Sequence, residues 1–345
     1  MKYRTFFAAL LIVALAMTGC AKKEAAAPAA PTFKIGLVTD LGGIDDKSFN
    51  QGTWEGIVRF GEENSLVKGT DYKYLQSSAE ADYVPNLSTF ADEKLDLIVA
   101  PGFLFEKAMG EVADKYPSQK LLVIDTVVQK PNVVSAVFAE HEGSYLVGVA
   151  AGLKAKADGK KVVGFIGGMQ FPLIERFQAG FEQGVMAVYP EAKVLVDYAG
   201  DFGAPDKGQA IAQKQFNAGA YIIFHAAGGT GNGMIKEAKE RSEKGDVRWA
   251  IGVDKDQYTD GLYGDKSAVL TSMMKRVDVA AYEVAKLAKA DQFPGGTVMV
   301  FALNNAGVGI PDTNPNLPAD IVATVKEYAG KIASGALSVS EVPAK

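Results

Sequence analysis

Short apolar runs, several of them unbroken stretches of Val, Ile and Leu, recur along this chain between longer amphipathic stretches, and this alternation limits the fold more than any other feature. The runs fall at 33–38, 72–76, 96–100, 121–125, 133–138, 161–166, 193–198, 221–225, 249–253 and 268–273. Strands that are apolar without alternation are buried on both faces, which is the condition of a parallel sheet covered by helices. The intervening stretches at 48–64, 102–116, 144–157 and 212–219 carry helical spacing. Strand, helix and strand repeated this often predict a doubly wound α/β fold. The strands are too many for one comfortable sheet, so they are divided between two lobes. The first begins at Phe33 and ends near Phe138, and the second opens at a helix near Glu142.

Composition removes several function classes. With 36 Lys and Arg against 41 Asp and Glu, the chain is mildly acidic and has no basic footprint for nucleic acid. A single Cys and two His, His141 and His225, supply neither a disulfide nor a tetrahedral zinc site of the usual ligands. No metal or cofactor is expected.

The N-terminal segment reads as an address. Lys2 and Arg4 precede an apolar run from Phe6 to Met17, and Met17-Thr18-Gly19-Cys20 follows. A charged start and a short apolar core are the parts of a secretory signal, and a run of about a dozen residues is too short to span a bilayer, which needs about 20. The last four residues resemble a lipobox, with Met17 where Leu is usual. The resemblance implies cleavage after residue 19 and acylation of Cys20. Residues 20–32 then form an Ala- and Pro-rich tether. The expected place is the outer side of a bacterial membrane, held to the bilayer by lipid.

The familiar phosphate and nucleophile motifs are missing. In Gly228-Gly229-Thr230-Gly231-Asn232-Gly233 the glycines do not follow G-x-G-x-x-G, and neither a G-x-x-x-x-G-K-[ST] loop nor a G-x-S-x-G elbow occurs. Both histidines read as structural. Attention therefore moves to loops after the strands, because open parallel sheets bind ligands beyond their carboxyl ends. In 40–56, Asp45 and Asp46 suit the cap of a helix. Trp54, Ile57 and Val58 mark its core face, and Phe49 lies about 140° from Trp54 at 100° per residue. Phe49 is thus a candidate cleft wall, with packing beneath the neighbouring loop as the alternative. Phe224 closes an apolar strand and faces either the cleft or the core. Two such rings could sandwich a flat heterocycle, with stacking worth roughly 1–3 kcal/mol per base, although sugars stack on aromatics as well. Asp40, Asp125 and Asp254 each close a strand, where a carboxylate can accept two hydrogen bonds from a vicinal diol, and Lys275 can donate.

Together, GGIDDKSFNQGTWEG, IVAPGF, HAAGGTGNG, WAIGVDKDQ and TSMMKRVDVA resemble the basic membrane protein family of substrate-binding lipoproteins, which includes purine nucleoside receptors of ABC transporters. The resemblance covers nearly everything after the tether. It implies a type I periplasmic-binding fold, two Rossmann-like lobes joined by three hinge crossings, with residues 33–138 and 258–292 in lobe I and 139–257 and 293–345 in lobe II. It also implies base-stacking roles for Phe49 and Phe224, ribose contacts for Asp254 and Lys275, and polar contacts for Asp40 and Asp125. Asn50 and Gly228 are further candidates, and Asp256 stays open as the alternative sugar ligand. The expected activity is capture of a purine nucleoside for an ABC permease, without catalysis. A sugar or autoinducer receptor of the same fold, or a surface adhesin or antigen, is the alternative.

Overall fold

A computed structural model describes residues 32–344. The leader, Cys20 and all but the last residue of the tether lie outside the described residues. In chain order the elements are β1 (Ile35–Val38), α1 (Phe49–Glu63), β2 (Tyr72–Leu75), α2 (Tyr83–Asp92), β3 (Leu97–Pro101), α3 (Glu106–Lys115), β4 (Lys120–Ile124) and β5 (Val133–Phe138). Next come α4 (Glu140–Ala157), β6 (Val162–Gly167), α5 (Pro172–Val188), β7 (Lys193–Tyr198), α6 (Pro205–Asn217), β8 (Ile222–Ala226), α7 (Gly229–Glu243) and β9 (Trp249–Asp254). The chain ends with β10 (Leu262–Tyr263), β11 (Lys266–Ser267), β12 (Val269–Lys275), α8 (Val277–Lys289), β13 (Val298–Phe301), β14 (Val308–Gly309) and α9 (Ala319–Ala333).

The strands form two six-stranded sheets, ordered β2-β1-β3-β4-β5-β13 and β7-β6-β8-β9-β12-β14. Every pairing in them is parallel except β12 with β14. The second order repeats the first, so β4 and β9 occupy equivalent places. Strands β1, β3 and β8 are buried along their whole length, as continuous apolar runs demand. Helix α4 lies so close to α5 that a Cβ on Gly148 would sit 2.3 Å from the Phe181 carbonyl oxygen.

Three segments cross between the sheets, and two of them differ from the expected places. The first is at Ala139, between β5 and α4. The return expected near Tyr258 occurs instead after Lys275, because β12 pairs with β9 and completes the second sheet. Only α8, packed on α1, and β13, paired with β5, belong to the first lobe. The exit expected near Phe293 comes after Phe301, since β14 is back on β12. The boundary at 258 fails because the single 3₁₀ turn at Tyr258–Gly261 and the β10–β11 hairpin lead directly into β12 without leaving the second lobe.

Candidate functional site

The loops after β1, β3 and β4 face those after β6, β7, β8 and β9 across a cavity lined by residues of both lobes. Of the residues singled out in the sequence, Asp40, Phe49, Asn50, Asp125, Gly228, Asp254 and Lys275 line it. Phe103, Leu173, Phe177 and Phe202 line it as well.

Phe224 does not. Its ring is fully buried and packs against Phe165, Phe177 and Phe181, 5.6, 6.5 and 5.3 Å away between centroids. The strand runs two residues past it, and alternation puts Ala226 on the same face at the cavity. The small Ala226 leaves room, and Phe177 of α5 and Phe202 after β7 supply aromatic wall from this lobe. The stripe Ile174, Phe177, Phe181 and Val185 has ordinary core spacing; only Phe177's place near the start of α5 signals its exposure to the cleft.

The start of α1 is built from side chains. Asp46 accepts from the backbone N–H groups of Ser48, Asn50 and Gln51, which satisfies donors left free at a helix start. Asn50 donates from Nδ2 to Asp40 Oδ1 at 2.7 Å and to Asp46 Oδ2 at 3.0 Å, and its own oxygen accepts from Asp40 N–H. With its amide fully engaged, Asn50 is a brace for the two carboxylates. Asp40 Oδ1 also accepts from Gly42 N–H, which leaves Oδ2 beside Gly102. A Cβ on Gly102, whose φ is +126°, would come within 3.1 Å of that oxygen, so glycine is required there.

Asp125 and Asp254 stand at equivalent strand ends and share a left-handed backbone, with φ of 69° and 64°. Such non-glycine conformations cost free energy and cluster at functional sites. Between them lies Lys275, whose Nζ is 2.5 Å from Asp125 Oδ2 and 3.7 Å from Asp254 Oδ1. The same ammonium lies 4.6 Å from the Phe49 ring centroid and 5.4 Å from that of Phe177. Asp125 Oδ1 and Asp254 Oδ1 are buried without a hydrogen-bond donor. Asp256 is exposed and caps Tyr258 N–H instead; it does not line the cavity.

Burial moves these groups' proton affinities. It pushes Asp40 up to about 6 against the donors Asn50 and Gly42. It pushes Asp254 up to about 7, with Lys275 opposing and Asp125 and Asp46 adding. Glu140, at the first crossing, is raised to about 8 by burial and by Asp125. Burial acts to lower Lys275, but Asp125, Asp254 and Glu140 outweigh it and hold the ammonium well above its ordinary range. His225 is fully buried against Gln257 and lowered to about 4 by burial, and half-buried His141 is lowered by the same cause. Among the described residues, no group of three or more His, Cys, Asp or Glu side chains is placed to hold a metal ion. No helix among them is long and apolar enough to cross a membrane.

Two repeated α/β lobes with a cavity between their facing strand ends define a type I solute-binding protein. Residues 33–342 match the family of PnrA-like ABC transporter substrate-binding proteins, and the chain belongs to that family. It is 44% identical to the CD4+ T-cell-stimulating antigen of Listeria monocytogenes, across 99% of this chain and all of that one. It is 37% identical to the ABC transporter nucleoside-binding protein BmpA of Lactococcus lactis, across 85% and 86% of the two chains. Among solved structures, a solute-binding protein of an ABC transporter system from Aeropyrum pernix is similar at a TM-score of 0.79 and 26% identity, across 89% and 92%. The family's role is binding rather than catalysis.

Proposed function

We propose that this substrate-binding protein captures a purine nucleoside between its lobes and delivers it to an ABC permease, while acylated Cys20 holds it on the outer side of the membrane. The carrying observation is the cavity's polarity. Three buried carboxylates, Asp40, Asp125 and Asp254, line a space walled by Phe49, Phe103, Phe177 and Phe202. Such a site needs a flat ligand rich in hydrogen-bond donors, and a purine nucleoside brings ring faces together with sugar hydroxyls. One oxygen each of Asp125 and Asp254 is buried without a hydrogen-bond donor, and an unsatisfied buried acceptor is costly, so ligand hydroxyls donating to these oxygens are favoured. Among the described residues, the only cation lining the cavity, Lys275, is already flanked by two carboxylates. That leaves no cationic clamp for a phosphate, which Arg-rich sites supply. The nucleoside-binding relative from Lactococcus supports the same ligand class.

Calorimetry with inosine, ribose and inosine monophosphate tests this reading. Inosine binds tightly, and ribose and the monophosphate bind at least tenfold more weakly. Tight binding of ribose with no signal from inosine overturns it in favour of a sugar receptor. The Listeria relative's name records T-cell stimulation by that protein; an antigen needs no enclosed cavity, and Phe49→Ala would leave such a role untouched.

A further inference from the structure

Phe103 and Phe171 stack face to face across the mouth of the cleft, with ring centroids 4.5 Å apart and planes 7° from parallel. Phe103 follows β3 in the first lobe, and Phe171 precedes α5 in the second. Neither ring belongs to a hydrophobic core or packs at a core's margin. Phe171 is 45% exposed and does not line the cavity. Phe103 does line it, and meets Phe202 edge to face at 6.1 Å. Phe202 is in turn fixed by its own lobe: its carbonyl accepts from Thr230 N–H, and its ring fills the space where a Cβ on Gly168 would lie 2.2 Å away.

A large aromatic side chain that joins no core loses its cover when the lobes part. Separation of the lobes exposes one face of each ring to water, so the pair gains apolar burial only in the closed state. Other contacts also span the lobes: the buried Lys275–Asp125 pair at a crossing, Lys47 with Asp260 at 3.1 Å, Lys255 with Glu55, and Asn232 Nδ2 with the Asp46 carbonyl. The hinge pair lies where the chain crosses rather than at the cleft mouth, and Lys47–Asp260 and Lys255–Glu55 are partly open to solvent, where ion pairs contribute little. We propose that Phe171 is a positioning residue for ligand capture, a latch that touches no ligand itself and holds Phe103 over the cavity mouth, so that it sets how long a bound molecule stays. This inference rests on the reading of the cavity as the ligand site.

The test is Phe171→Ala beside Phe171→Tyr in the full chain, with two readouts. In stopped-flow displacement of bound inosine, Phe171→Ala raises the dissociation rate roughly two- to tenfold, the range that aromatic pairing carries, and Phe171→Tyr stays within twofold of the parent. Both variants keep the parent's thermal midpoint without ligand, because the ring belongs to no core. Small-angle scattering of the ligand-free chain gives a larger radius of gyration for Phe171→Ala, a readout that needs no ligand. An unchanged dissociation rate overturns the latch, and so does an unchanged radius. If inosine fails to bind the parent chain, the nucleoside reading falls while the scattering comparison still decides the latch. A dissociation rate raised equally in Phe171→Tyr also overturns it, since the ring would then not be what holds Phe103.

Discussion

Lys275 Nζ meets Asp125 Oδ2 at 2.5 Å, which ties the last residue of β12, in the second sheet, to the residue following β4 in the first. Both side chains are almost wholly buried. The chain crosses back to the first lobe directly after Lys275, so the pair sits where one hinge strand enters the cleft. It is both part of the cavity wall and a link between the lobes.

Replacing one member of a buried ion pair leaves the other uncompensated, at a cost of about 3–5 kcal/mol. Lys275→Met strands Asp125, Asp254 and Glu140 together, the three carboxylates that hold the ammonium charged. Urea unfolding should show a loss in that range. Asp125→Asn should lose less, because Asp254 remains beside the ammonium at 3.7 Å. Equal losses below about 1 kcal/mol in both variants would mean that the pair organises nothing.

Phe177 and Phe224 touch one another at 6.5 Å between centroids but face different tasks. Phe224→Ala opens a cavity in the core of the second lobe and should cost about 3–5 kcal/mol of stability, with ligand affinity unchanged once the protein is folded. Phe177→Ala should also destabilise. In addition it should weaken ligand binding by roughly 1–3 kcal/mol, the scale of one stacking surface. Calorimetry on the folded variants, beside their thermal midpoints, separates the two. An affinity loss in Phe224→Ala alone would restore the ring to the cleft.

The first lobe was largely legible because its strands are unbroken apolar runs and its ligand loops follow them directly. Asp40, Phe49, Asp125, Asp254 and Lys275 could be located by the rule that such sheets bind beyond their strand ends. Phe224 could not be placed, because β8 continues to Ala226, two residues on along the same face, and that later residue is the one that reaches the cavity. Phe103, Phe177 and Phe202 were missed for another reason. Their neighbourhoods read as ordinary core or turn, and only the approach of the second lobe makes them walls. Strand β13 was missed because it is a short edge strand with Val298 and Val300 exposed. The hinge boundaries depended on which sheet β12 joins, a long-range choice that local patterning does not encode.

Asn50 offers a test of bracing against direct contact. Asn50→Ala removes donors from Asp40 Oδ1 and Asp46 Oδ2, and a buried acceptor left short costs about 1–3 kcal/mol. The Asn50 hydrogen bond also opposes the rise of Asp40's proton affinity, so without it Asp40 should hold its proton to a higher pH. The pH below which ligand affinity fades should therefore move upward, which titration of affinity against pH measures. A uniform loss at every pH would instead mark Asn50 as a direct ligand contact.

Stability of the ligand-free protein should fall as pH rises from about 6.5 to 8, opposite to the behaviour of salt-bridged surface carboxylates. Asp254 and Glu140 are raised to about 7 and about 8 in the fold, whereas unfolded carboxyls have released their protons by about pH 5. Across this window the folded chain binds more protons than the unfolded one, so unfolding becomes easier with each step up in pH, by about 1.4 kcal/mol per unit for each proton still held. Asp40, raised to about 6, makes the same contribution lower down, and it is lost by the time pH passes 6.5. His225 acts in the contrary sense: with its affinity lowered to about 4, it disfavours the fold only below the ordinary histidine value near 6.5. Above about 6.5 the histidine no longer opposes the fold, and Asp254 and Glu140 release their protons there. Urea midpoints at pH 6.5, 7.25 and 8 should decline in order, and Glu140→Gln should flatten the upper half of that decline. Midpoints that climb with pH would mean that these carboxylates are ionised and solvated, in contradiction to their burial.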